Sequence, residues 1–122
     1  MTRHRRDEGQ ATVELALVLP MVCLLLLLLV QVGLIVHAHL MAIHAAREGV
    51  RAAAVDPHPA SAHVAVARGT SFERDRTEVS VRDGGATVTV EVRYRAATDV
   101  PLVGALLGDV EVRARATMRK EY

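Results

Sequence analysis

The sequence predicts an α+β membrane protein, in which a long N-terminal transmembrane helix continues as a stalk and then carries a small domain with a short helix and a three-stranded antiparallel sheet. Two patterns support this. From Leu15 to Val36 the chain is apolar except for Gln31, and about 22 residues at roughly 1.5 Å each match the hydrocarbon thickness of a bilayer. Farther on, residues 78–82, 86–94 and 110–118 alternate apolar and polar side chains with the period of half-buried strands.

The N-terminal stretch before the apolar run carries Arg3, Arg5 and Arg6. Short basic flanks tend to stay in the cytoplasm, although Arg47 and Arg51 beyond the run keep the charge bias modest. Next comes Glu8-Gly9-Gln10-Ala11-Thr12-Val13-Glu14. A carboxylate at the centre of a spanning helix costs roughly 2.5–3.5 kcal/mol, less towards the interface, so Glu14 needs either a shallow position or a partner. In the headgroup layer it would also complement the positive end of the helix dipole. If instead the chain is cut after Gly9, Gln10 becomes the new terminus. Its ammonium then lies about four residues, roughly 6 Å of rise, from Glu14. The carboxylate could neutralise an amine of its own chain or of a neighbour.

The leucine block Leu24 to Leu29 sits in a run longer than the roughly 7–15 residues of a secretory h-region. Val36-His37-Ala38 nevertheless satisfies a small-residue cleavage pattern, so release of a secreted domain after Ala38 is a further reading. Cys23 follows Pro20, Met21 and Val22, without the small neighbour that a lipid-modified cysteine needs, and reads as a packed thiol. Pro20 cannot donate to the carbonyl of Ala16, which predicts a bend in the helix.

Beyond Val36 no breaker appears before Gly49, and helix is expected to continue to about Val55, where Asp56-Pro57-His58-Pro59 stops it. Exposed alanines along this stalk would let another helix approach closely. His37 and His39 point to different faces, and His37 and His44 are two turns apart, so no metal site is expected. Ala60, Val64, Ala67 and Ser71 would line one face of a short helix, although Ala62, Val64 and Val66 also alternate like a strand. The alanines and Pro59 favour the helix.

Asp83-Gly84-Gly85 signals a turn between the first two strands. A two-residue loop at Gly84-Gly85 would set Val81 opposite Val88 and Val79 opposite Val90, placing both pairs on one face. In the third strand Val110, Val112, Ala114, Ala116 and Met118 are expected to face inward. The connection from Asp99 to Gly108 is unusually apolar. It is expected to fold over the open face of the sheet or against the stalk, since such a small sheet cannot bury itself. A partner-docking or membrane-touching patch is the alternative.

Composition excludes several functions. A domain of about 65 residues buries only around 60% of its unfolded surface and leans on a helix or a partner. The net charge is +1, and one cysteine, no Trp, one Phe and two Tyr leave no internal disulfide, thiolate cage or base-stacking platform. Nucleic acid is therefore not an expected partner. No nucleophile elbow, phosphate-cradling loop or helical zinc pair appears, and neither enzymatic activity nor a cofactor is expected.

A short basic stretch, Gly9 at the last leader position, Glu14 fifth in the mature chain and a hydrophobic helix together resemble a type IV prepilin leader. The wider run Gly9-Gln10-Ala11-Thr12-Val13-Glu14-Leu15-Ala16-Leu17-Val18-Leu19-Pro20, with Ala45-Ala46-Arg47-Glu48-Gly49-Val50-Arg51-Ala52-Ala53, resembles the TadE family of tight-adherence (Tad) pilus systems. The C-terminal half resembles it more loosely, through Val100-Pro101-Leu102 and Ala116-Thr117-Met118-Arg119. Gln31 departs from the pattern, standing where such proteins often carry an acid ahead of Gly33, and Asp7 and Glu8 dilute the leader's positive charge.

The resemblance implies a minor pilin or pseudopilin, cut between Gly9 and Gln10 by a prepilin peptidase. It implies a cytoplasmic leader over 1–9, a transmembrane helix and stalk over 10–55 and an extracytoplasmic domain over 56–122. It places the chain in a bacterial cytoplasmic membrane as a single-pass protein with its N-terminus inside, and it suggests a kink at Pro20 used in packing or extraction. The partners it implies are the lipid bilayer, other Tad minor pilins, the Flp pilin, the platform protein and the secretion ATPase. The alternative is an unprocessed, single-pass anchored module that binds an extracytoplasmic ligand.

Overall fold

A computed structural model describes residues 3–98 and 100–122, with side chains from Asp7 onward. Helix α1, Arg3–Val55, is one continuous helix of 53 residues with Pro20 inside it. At 1.5 Å per residue it is about 80 Å long. It is followed by α2 (Pro59–Gly69), a single 3₁₀ turn (Arg74–Arg76), strands β1 (Thr77–Asp83) and β2 (Thr87–Ala96), the short helix α3 (Val103–Leu107) and strand β3 (Val110–Arg119). The sheet is antiparallel in the order β1-β2-β3. The expected α+β architecture is the observed one.

Helix α1 ends at the residue expected from sequence, for a visible reason. Asp56 Oδ1 accepts the backbone N–H of His58 at 3.0 Å and meets its Nδ1 at 2.9 Å, closing a tight turn. Pro59 then opens α2, where a missing N–H costs nothing.

The two halves of α1 have different surroundings. All residues from Asp7 to Leu26 are exposed. A covered stripe begins at Leu27, half-buried, and continues through Gln31, Ala38, Ala42, Ala45, Ala46, Gly49, Val50, Ala53 and Ala54. The steps of three and four residues place these on one helical face. Against it pack Val88, Val90 and Val92 of β2, Val112 and Ala114 of β3, and Ala62 and Val66 of α2. Small residues on the helix let valines on the sheet come close, so α1 supplies much of the core of the sheet-bearing head. The alanines expected to be exposed for an incoming helix are buried within the same chain. Cys23, expected to be packed, lies exposed in the bare half of α1.

Helix α2 forms where expected but turns a different face inward. Ala62 and Val66 are buried, whereas Ala60, Val64 and Ala67 are exposed. The face is set by Gly49 of α1, which leaves room for Val66. Two faces of this alanine-rich helix were similarly apolar, so periodicity alone could not choose between them.

The hairpin register also differs from expectation. Val81 pairs with Val90, Val79 with Val92 and Asp83 with Val88. The Gly84 N–H donates to the Thr87 carbonyl at 2.8 Å, so the reversal occurs at Gly85-Ala86 rather than at Gly84-Gly85. Gly85 has φ 82 and its N–H donates to Asp83 Oδ1 at 2.8 Å, both fixing the turn one residue later. In β3, Val112 and Ala114 are buried and Val110 and Ala116 half-buried. Met118, expected to face inward, is 38% exposed because it lies at the far end of the sheet.

The strands run along α1. Glu121 N–H donates to the Ala54 carbonyl at 2.9 Å, tying the end of β3 to the end of the long helix. At the other end, Ala96 and Ala97 share a cleft with Gln31, Leu34 and Ile35, and Val110 lies beside Ile35, Val36 and His39. The β2–β3 connection therefore emerges beside residues 31–39 of α1.

Candidate functional site

Gly9, Gln10, Glu14 and Pro20 all lie on the bare N-terminal half of α1. A Cβ at Gly9 would meet nothing within 4 Å, and Gly9 and Gln10 are both exposed. The Gly9–Gln10 bond is nonetheless helical, with α1 beginning upstream at Arg3. An enzyme cutting there must unwind the local turns, and glycine makes this easier by roughly 0.8–1 kcal/mol relative to alanine. Gln10 Nε2 donates to Glu14 Oε1 at 3.3 Å, and Thr12 Oγ1 donates to the Glu8 carbonyl at 2.8 Å. Residues 10 and 14 thus share a face one turn apart, as the spacing requires. Pro20 withholds a donor from the Ala16 carbonyl, yet the helix is continuous through it.

The described part of the helix that includes Asp7–Val55 is the one long and apolar enough to cross a membrane. Its exposed surface is almost wholly leucine, valine and methionine between Leu15 and Val30, which is the surface a lipid-facing helix presents.

Sequence reading did not foresee what happens at Gln31. Its side chain is only 1% exposed, covered where the head meets the apolar run, and its Oε1 has no hydrogen-bond partner among the described residues. It lines an open cleft with Phe72, Arg76 and Tyr94. The Phe72 and Tyr94 rings stack with centroids 3.9 Å apart, clamping the segment after α2 to β2. A polar residue within an apolar run was visible in the sequence, but nothing indicated that the head would reach down to cover it.

The outward face of the sheet carries the other unforeseen group. Glu91 has a side chain only 8% exposed, with Arg93 Nε at 2.6 Å from Oε1 and Arg115 Nη2 at 3.1 Å from Oε2. The Arg93 hydrogen bond first, with Arg115 adding to it, holds the Glu91 carboxyl below the usual glutamate range against the opposing effect of burial. Asp83 is likewise held low, first by its ion pair with Lys120 and then by the Gly85 N–H. His37, His39 and His44 are all exposed, and among the described residues no group of three or more His, Cys, Asp or Glu is placed to hold a metal ion.

Residues 9–51 match the family described as TadE-like protein. The match begins at Gly9 and ends within the covered stripe of α1, so it takes in both the bare half and most of the part packed against the head. No curated protein and no solved structure matches the chain.

Proposed function

From the TadE-like character of residues 9–51, we propose that this chain is a non-enzymatic minor pilin or pseudopilin, a structural or assembly subunit of a Tad pilus. In this reading residues 1–9 form a cytoplasmic leader and α1 crosses the membrane over about residues 15–36. The rest of α1 becomes a stalk, and residues 56–122 lie on the extracytoplasmic side. A prepilin peptidase cuts between Gly9 and Gln10. The freed ammonium of Gln10 then sits one turn from Glu14, near enough to offset the cost of a carboxylate at the edge of lipid.

The observation that carries this reading is the contrast along α1. The half bearing Gly9, Glu14 and Pro20 is exposed throughout from Asp7 to Leu26, although it is apolar from Leu15 onward. Such a surface is suited first to lipid and then to the helices of other subunits. Pro20 provides the place where the helix can bend as it is extracted and packed. Other Tad minor pilins, the Flp pilin, the platform protein and the secretion ATPase are the partners this reading assigns.

Mass spectrometry of membrane-extracted protein from cells containing the peptidase tests the processing. A mature chain beginning at Gln10 is expected, and one that still carries Arg3, Arg5 and Arg6 overturns it. Glu14→Ala is expected to leave membrane insertion intact and to reduce pilus assembly. An unprocessed anchored binding module predicts no change in either.

A further inference from the structure

The β2–β3 connection is a compact loop with its own internal support. Thr98 Oγ1 donates to the Gly108 carbonyl and joins its ends. Gly104 N–H donates to the Val100 carbonyl at 2.9 Å, and Gly108 N–H to the Gly104 carbonyl at 3.1 Å. Gly104 packs directly against the Thr98 carbonyl, leaving no room for a Cβ. Asp99 lies outside the described residues. Val100 and Val103 turn inward and are buried.

The other apolar residues of the loop turn outward. Leu102 is 65% exposed, Leu107 52% and Leu106 83%, the highest value of any large hydrophobic residue among those described. Leu102 adopts φ 66, an unusual conformation for leucine, within this hydrogen-bonded turn. The loop therefore covers part of the helix with its valines and displays leucines on its outer side. Of the two placements expected for this connection, over the open face of the sheet or against the stalk, the second is the observed one: α3 lies against α1, while the outward face of the sheet carries Glu91 with Arg93 and Arg115.

Position along α1 identifies what the leucines meet. The strands that lead into and out of the loop end beside residues 31–39, while the apolar run extends to Val36. Leu27 and Gln31, within that run, already belong to the covered stripe. The head thus begins at a height where the other faces of α1, with Val30, Val32 and Leu34 exposed, remain apolar. We propose that the loop segment of residues 100–108 is a second membrane contact, with Leu102, Leu106 and Leu107 inserted into the outer interfacial layer of the bilayer that α1 crosses. The lipid-facing surface of the helix and the leucines of the loop then form one continuous apolar surface. Two separated contacts fix the tilt of the head, which a single helix leaves free.

This inference rests on the membrane-spanning reading of α1, and one experiment separates the two. The chain has no Trp, so a single introduced indole reports on its own position. Leu24→Trp probes the middle of the apolar run, Leu106→Trp the loop, and Val64→Trp the outer surface of α2. Each full-length variant is reconstituted in phosphatidylethanolamine and phosphatidylglycerol vesicles, with and without lipids carrying a quencher near the headgroup or deep in the acyl chain. Leu106→Trp is expected to emit at shorter wavelength than Val64→Trp and to lose intensity to the shallow quencher. Leu24→Trp should lose intensity to the deep one, and Val64→Trp to neither. Quenching at position 24 with none at 106 overturns the loop contact and leaves the spanning helix in place. A shift to shorter wavelength at 106 without lipid quenching also overturns it, because a second copy or another protein then covers the leucines. Absence of quenching at position 24 removes the spanning helix and the loop contact together.

Discussion

Val66 Cγ2 lies 2.8 Å from where a Cβ on Gly49 would stand, and Val90 Cγ1 lies 3.1 Å from the same point. Gly49 is therefore a place where α1, α2 and the central strand meet closely. Valine methyls cannot swing aside freely, since their χ1 is restricted. Gly49→Ala gains about 0.8–1 kcal/mol of helix propensity but incurs overpacking of roughly 1–3 kcal/mol. The expected net loss is about 1 kcal/mol, read as a lower thermal midpoint of the full chain in detergent micelles. Gly33→Ala, where a Cβ meets nothing within 4 Å, is expected to leave the midpoint unchanged or raise it. Equal effects at the two positions would remove the close approach.

The paired arginines at Glu91 give a pH dependence with a definite sign. Its carboxyl is held below the usual range, first by the Arg93 hydrogen bond. Its contribution is therefore fully present above the unfolded glutamate pKa, and it is lost as pH falls through the folded value. Asp83, held low by Lys120 and Gly85, and Asp56, held low by the His58 N–H and side chain, act in the same direction. The thermal midpoint is expected to fall below about pH 4, where free carboxylates protonate. Glu91→Gln should lower the midpoint at neutral pH and flatten the acid slope. An unchanged slope in this variant would mean that Glu91 contributes nothing to it.

The hairpin shows how much of the fold was legible. Alternating valines determined which faces of β1 and β2 point inward, and the structure agrees. Moving the turn by one residue shifts each cross-strand partner by two, which preserves the faces. Valine still meets valine, as Val81 does with Val90, so alternation could not discriminate between the registers. The choice rests on Asp83 accepting the Gly85 N–H and on the positive φ of Gly85. Contacts between the backbones of Val81 and Val90, rather than Val81 and Val88, are expected in nuclear Overhauser spectra. Gly85→Ala should cost about 1–2 kcal/mol, the penalty of a side chain in the left-handed region.

Other features were legible for similarly local reasons. The extent of α1 could be read because apolar length and the Asp56-Pro57-His58-Pro59 stop are written in consecutive residues, and the shared face of Gln10 and Glu14 because one turn of helix fixes it. The packing of the head on α1 was hidden. Ala38, Ala42, Ala45 and Ala46 are good helix formers whether exposed or buried, and nothing local said that the sheet would be their partner. Glu91 was hidden in the same way, since an outward charge looks alike whether solvated or covered by Arg93 and Arg115.

Gln31 sits under the head, inside the apolar run of α1. Its side chain is 1% exposed and its Oε1 has no partner among the described residues, while leaving a buried acceptor unsatisfied costs about 1–3 kcal/mol. Methionine is also unbranched, has a similar reach and fills irregular space without an acceptor that demands a partner. Gln31→Met is therefore expected to raise the stability of the isolated full-length chain in micelles by about 1 kcal/mol or more. Gln31→Glu should lower it, because a carboxylate in the same place must be desolvated, and Arg76, which lines the same cleft, is already paired with Glu73 at 3.2 Å. A lower midpoint for Gln31→Met than for the wild type would show that the glutamine amide contributes more than its orphaned oxygen takes away. The head would then be held over the apolar run by polar contact rather than by the apolar packing that surrounds it.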